Sequence, residues 1–164
     1  MLCWACYLQK STKGQALMNT HSLFIYGTLL DDEVLSKVLG HDCHSIQSVE
    51  AEAPFMRVFK VAHVDYPCLL EGQDTDVAEG ALLTGLSDDD IAKLDQFEGD
   101  NYQRVAIDII AENRLVATQA YQPLTALETD GSWSFDRWSK EGRRAFLAHD
   151  FNKQGVRKPN EQTS

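Results

Sequence analysis

The chain is short of positive charge. Its 15 Lys and Arg face 25 Asp and Glu, for a formal net charge of -10. That balance weighs against phosphate backbones and anionic membranes as partners, because both are gripped chiefly by Lys and Arg. Long apolar runs are missing too. No stretch approaches the roughly 20 residues that span a bilayer, so no membrane crossing is expected. A signal-peptide pattern is also absent, since Lys10, Ser11 and Lys13 interrupt the apolar residues near the start. The expectation is a reduced, cytoplasmic setting.

Several common catalytic signatures do not occur. There is no GxGxxG or Walker pattern, no GxSxG elbow and no HExxH pair. Cys3-Trp4-Ala5-Cys6 has the spacing of a redox pair or half a zinc site. It does not follow a strand, and the one dense cluster able to complete it, His41-Asp42-Cys43-His44, lies beyond finger spacing. No metal and no cofactor are therefore expected. His63 and His149 have no spaced partner and receive no chemical role.

What remains suits one domain. The 164 residues are 43% hydrophobic and 24% charged, ordinary for a single globular unit. Residues 1–20 lack periodicity and read as a disordered extension, with Met18 as a second candidate start. Residues 21–151 form the expected domain, and 152–164 a flexible polar tail.

Within the domain, Ser22 to Ile25 reads as a strand entering a turn at Gly27. Asp31-Asp32-Glu33 precedes an apolar stripe that Gly40 closes, which predicts a short helix with acids at its positive end. Strands are predicted over Ile46–Ala53, Phe55–Val61, Pro67–Leu70 and Val77–Leu83. Ser87 then caps a helix with Asp88, Asp89 and Asp90 in its first turn, ended by Gly99. Tyr102–Ile110 and Leu115–Tyr121 form a hairpin about Glu112-Asn113. A last helix runs from about Ser134 to Phe151, weakened at Gly142, with Trp133 and Trp138 as packing anchors. Strands with helices inserted at three points imply an α+β fold, and the short connections make much of the sheet antiparallel. Closure into a small barrel would remove its edges.

One carboxylate stands out. Ile91, Leu94 and Glu98 share a helical face, so Glu98 is expected to point inward at the negative end of its helix. Burial and the helix dipole both disfavour the ionised form and should raise its pKa towards neutrality, as a general base requires. Asp95 falls off that face and reads as solvated or as a partner for Arg104. Tyr26-Gly27-Thr28-Leu29 supplies a glycine turn whose successive N–H groups can grip an anion.

Together these segments resemble the gamma-glutamylcyclotransferase-like family, in particular its AIG-type and gamma-glutamylamine cyclotransferase branches. Tyr26-Gly27-Thr28-Leu29 is similar to the family's Tyr-Gly-Ser/Thr-Leu loop, and Leu94-Asp95-x-x-Glu98 with Tyr102-x-Arg104 to its acidic signature. Tyr66-Pro67-Cys68, Glu79-Gly80 and Gly131 to Trp138 fit further segments, so the likeness spans roughly residues 22–151. Leu30-Asp31-Asp32 departs from the Lys-Arg-Gly of amine-specific members, which leaves the departing amine open.

The resemblance implies a small, mixed, largely antiparallel β-barrel with flanking helices. It implies cyclisation of a γ-glutamyl amine or peptide to 5-oxoproline with release of the amine. Glu98 would shuttle the proton, Tyr26, Gly27, Thr28 and Leu29 would bind the substrate, and Tyr102 and Arg104 would support them. The expected partner is a small γ-glutamyl molecule, with no nucleic acid or membrane involved, and the oligomeric state stays open. The alternative is a module of the same fold that binds a small metabolite without turnover.

Overall fold

Alternate residues of the first strand, β1 (His21–Ile25), serve two different cores. Side chains of a strand point to opposite faces, so Phe24 turns one way while Leu23 and Ile25 turn the other. The computed structural model, which describes residues 20–151, shows what each face meets. The predictions for Cys3, Cys6 and Met18, and for 152–164, lie outside the described residues.

The elements follow as a short 3-10 turn (Thr28–Leu30), α1 (Asp32–Leu39), β2 (Gln47–Pro54), β3 (Met56–Val61), β4 (Pro67–Glu71) and β5 (Val77–Leu86). Then come α2 (Asp88–Glu98), β6 (Tyr102–Ala111), β7 (Arg114–Pro123), β8 (Thr129–Ser132), α3 (Phe135–Glu141) and α4 (Arg143–Ala145). Five strands close into a barrel in the order β1-β5-β2-β6-β7, and β4-β3-β8 make a separate three-stranded sheet. The barrel is antiparallel except where β1 meets β7, at Phe24 and Ala120. The predicted α+β class and mixed barrel are what the chain adopts.

So few strands enclose a narrow space. Ala51, Ala53, Ala78, Ala111 and Ala120 line it, and Phe24, Tyr26, Leu82 and Ile109 fill it. Gly80 on β5 has no room for a side chain, because a Cβ there would strike the Ile25 carbonyl and the Phe24 ring. The outer face of β1 packs under α1 and α2 through Val34, Leu35, Leu39, Ile91 and Leu94, all buried. Trp133 and Trp138 close this second core, at 6% and 2% exposed.

Local signals explain several joints. Glu112 and Asn113 have φ of 49° and 59°, the two positive values that a two-residue hairpin turn matching strand twist requires. Asp31 caps α1 by accepting from the Glu33 and Val34 N–H groups, each at 3.1 Å. The last predicted helix is interrupted. It runs as α3, breaks at Gly142, resumes as α4 and widens into a π-helical turn at Phe146–Asp150. A side chain at Gly142 would meet Asp65 and the Trp138 ring, so this position is kept small by a close approach.

Candidate active site

Sequence-local chemistry sets the register of α2. The Ser87 hydroxyl accepts from the Asp90 N–H at 3.1 Å, and Asp90 Oδ2 accepts from the Ser87 N–H at 2.9 Å. This reciprocal cap fixes the start, and Gly99, at φ 72°, ends the helix. With Ile91, Leu94 and Phe97 turned into the core, Glu98 is carried to the turn that follows β1. Tyr26, Gly27, Thr28, Leu29 and Glu98 line one cavity, together with Pro67 and Tyr121. Its volume is about 20 Å³, room for about one water molecule.

Glu98 keeps some exposed surface at the helix end, yet its carboxyl group is surrounded by protein. Among the described residues, no cation pairs with it and no hydrogen bond reaches it. Burial, and after it the negative charge of Asp95, push its pKa from the ordinary 4.5 up to about 8. The sequence anticipates the burial; the like charge of Asp95 adds to it. Asp95 itself behaves oppositely. Burial would raise it, but bidentate bonds from Arg104 at 2.7 and 3.1 Å and one from the Tyr121 hydroxyl at 2.7 Å outweigh that and hold it low.

The turn opposite presents main-chain donors. Leu30 N–H is satisfied by Gly27 O at 3.0 Å and Asp31 N–H by Thr28 O at 3.1 Å. The N–H groups of Gly27, Thr28 and Leu29 have no acceptor among the described residues. Gly27 is required by proximity: a Cβ there would lie 2.5 Å from Pro67 Cγ. Pro67 is in turn tied down, because its carbonyl accepts from the Tyr102 hydroxyl at 3.2 Å.

Tyr26 is both a core residue and a wall of the cavity. It is 7% exposed, and its hydroxyl donates to the Tyr121 carbonyl at 2.7 Å. Burial, with the Glu98 charge nearby, holds the phenol far above its usual value, so it stays neutral. It also borders a much wider groove of about 1050 Å³, which runs past Arg57, Val58, Gly80 and Trp133. That groove does not include Glu98.

Tyr102 and Arg104 take different parts. Arg104 grips Asp95 and donates to Gln119 Oε1 at 2.6 Å, and does not touch Glu98. Tyr102 reaches the cradle turn through Pro67. Arg104 is thus a support for α2 and Tyr102 one for the turn.

The family model described as "Gamma-glutamyl cyclotransferase, AIG2-like" matches residues 23–139. The chain belongs to this family. AIG2-like protein A of Arabidopsis thaliana is 27% identical over 134 residues, spanning 79% of either chain. A solution structure from the same plant superposes with a TM-score of 0.60 at 26% identity, covering 81% of this chain and 89% of its own. A solved chain named gamma-glutamyl cyclotransferase gives 0.60 at 14% identity, covering 89% of this chain and 92% of its own. That last likeness speaks for the fold alone.

Within this AIG2-like chain, three site neighbours carry no local sequence signal of their roles. Pro67 fills the space beside Gly27, Tyr121 binds both Asp95 and Tyr26, and Arg143 holds the Asp31 cap. All act across long stretches of chain. Among the described residues, no three His, Cys, Asp or Glu are grouped to hold a metal. Among them also, no helix is long and apolar enough to cross a membrane.

Proposed function

We propose that this protein is a gamma-glutamylcyclotransferase that converts the γ-glutamyl group of an amine or peptide into 5-oxoproline and frees the amine. The observation that carries the reading is the pairing of an enclosed Glu98, free of cations among the described residues, with the N–H groups of Gly27, Thr28 and Leu29, open among the same residues, around one cavity. Family membership supports the cyclotransferase class.

Both reacting groups belong to the substrate, so the enzyme's task is to fold it into attack geometry. Ionised Glu98 takes a proton from the α-ammonium. The freed nitrogen attacks the γ-carbonyl carbon and forms the C–N bond of a five-membered ring. The N–H groups of Gly27, Thr28 and Leu29 hold the anionic oxygen atoms of the substrate. The old C–N bond then breaks, and Glu98 returns its proton to the departing nitrogen. A second proton from the ring nitrogen leaves with the amine as its ammonium, which balances the reaction. No redox step and no added co-reactant enter.

A base with pKa near 8 accepts a proton from an ammonium with little loss of driving force. An ordinary carboxylate would be too weak by several units. The reaction is expected in the cytoplasm, where γ-glutamyl compounds would meet the chain in reduced form.

The test is incubation of the purified chain with γ-glutamyl amines, γ-glutamyl amino acids and glutathione while 5-oxoproline is measured. Release by the wild type and its loss in Glu98→Gln support the proposal. Thermal stabilisation by these compounds without any 5-oxoproline would instead mark a binding module.

A further inference from the structure

The cradle turn is held from the far end of the fold. Asp31 closes it, since the Asp31 N–H donates to Thr28 O at 3.1 Å. The Asp31 carboxylate caps α1, and the same carboxylate receives Arg143, 112 residues away: Nε on Oδ2 at 2.5 Å and Nη2 on Oδ1 at 3.3 Å. Nη2 also donates to Glu33 Oε2 at 2.6 Å. One guanidinium therefore bridges the capping acid and a first-turn acid of the helix that follows the open N–H groups.

This pair differs from the other ion pairs of α1 and α3. Lys37–Glu33 and Lys140–Asp136 join side chains between 47% and 77% exposed, where such contacts contribute little. Asp31 and Arg143 are 12% and 34% exposed, and the fork fixes direction as well as distance. Burial alone would raise the Asp31 carboxyl, but the Arg143 bonds and the capping N–H groups outweigh it and keep it low and charged. Two buried aromatic residues flank Arg143 along the chain. In sequence it falls between Trp138 and Phe146, 2% and 3% exposed, whose rings meet edge to face at 5.5 Å.

We infer that Arg143 is a positioning residue for the substrate loop: by clamping the Asp31 cap it fixes where the Gly27, Thr28 and Leu29 N–H groups point. The inference rests on the proposed function for what that loop binds. It does not rest on it for the clamp itself.

The experiment compares Arg143→Ala and Arg143→Lys with Arg144→Ala, which removes a neighbouring exposed cation. The probe is 5-oxoproline, its binding measured by calorimetry, alongside hydrogen exchange of the amides of residues 28–34. Arg143→Ala should weaken binding about tenfold and speed exchange in that segment, with the barrel amides unchanged. Arg143→Lys keeps the charge without the fork and should recover about half of the loss on a logarithmic scale. Arg144→Ala should match the wild type. Equal binding and equal exchange in Arg143→Ala and the wild type would overturn the inference, as would an equal defect in Arg144→Ala. A wild type that fails to bind 5-oxoproline counts against the proposed function, and the exchange measurement then decides the clamp alone. If Arg143→Ala does not fold, Arg143→Lys against Arg144→Ala gives the same decision.

Discussion

Asp95 and Glu98 stand within one turn of each other on α2, and among the described residues only Asp95 is met by partners. Arg104 and Tyr121 each reach it at 2.7 Å, whereas among the described residues Glu98 receives none. The satisfied acid is held ionised, and its charge helps keep the neighbouring acid protonated. Two carboxylates so placed are driven to opposite states at neutral pH.

A stability consequence follows for Glu98→Gln. The folded pKa of about 8 lies above the ordinary 4.5, so the unfolded chain releases this proton first. The native state therefore loses stability as pH rises from about 4.5 through 8, and nothing is lost below that window. Glu98→Gln should abolish 5-oxoproline release while raising stability by roughly 4 kcal/mol near pH 8. Denaturant titrations at pH 4 and pH 8 check this, with equal gains at the two pH values counting against the buried acid.

The pH profile of turnover should carry the same signature. A base must be ionised to act, so the rate should climb as pH rises through about 8. Asp95→Asn removes the like charge and should move that inflection to lower pH. An inflection that stays in place would mean that burial alone sets it.

Gly27→Ala should damage both fold and site, because its methyl would sit 2.5 Å from Pro67 Cγ. Crowding of this kind costs about 1–3 kcal/mol. Pro67→Ala removes the obstructing carbon, so the double variant should be less destabilised than the two single losses added together. Thermal unfolding of the four proteins measures the coupling, and strict additivity would disprove the contact.

His41 ties the end of α1 to the start of α2. Its Nδ1 lies 2.6 Å from the Asp42 carbonyl and its Nε2 lies 2.7 Å from Asp90 Oδ1. The Asp42 carbonyl first, and Asp90 next, raise its pKa above 6.5. As with Glu98, stability falls as pH rises: the contribution of protonated His41 is complete below about 6.5 and fades as pH rises through the folded value. His41→Gln should be destabilised at pH 5.5 and close to the wild type at pH 9. A difference independent of pH would refute the ionic role.

Much of this was legible in the residues because it is local. Ser87 and Asp90 form their cap three residues apart, Glu112-Asn113 turns a hairpin with no outside help, and the spacing of Leu94 and Glu98 already places the acid inward. What escaped depends on contacts across the chain. β8 is Thr-Asp-Gly-Ser, with no apolar alternation, and becomes a strand only by pairing with β3 through Phe59 and Val61. The three-stranded sheet beside the barrel was therefore hidden. The Arg104–Asp95 pair, nine residues apart, is one of the two readings the sequence allows, but the bond from Arg104 to Gln119 and that from Arg143 to Asp31 carry no local signal. Burial of a side chain can be read from periodicity; a partner far along the chain cannot.

The tightness of the chamber around Glu98, about 20 Å³, bears on which chemistry wins there. An amide bond can be severed by water or by an amine within the same molecule, and the first route needs a second guest beside the substrate. A glutamyl group is larger than that space and must widen it on entry, so it leaves no vacancy for one. Hydrolysis to free glutamate should then be negligible beside ring closure, and separating the two products chromatographically reads the ratio directly.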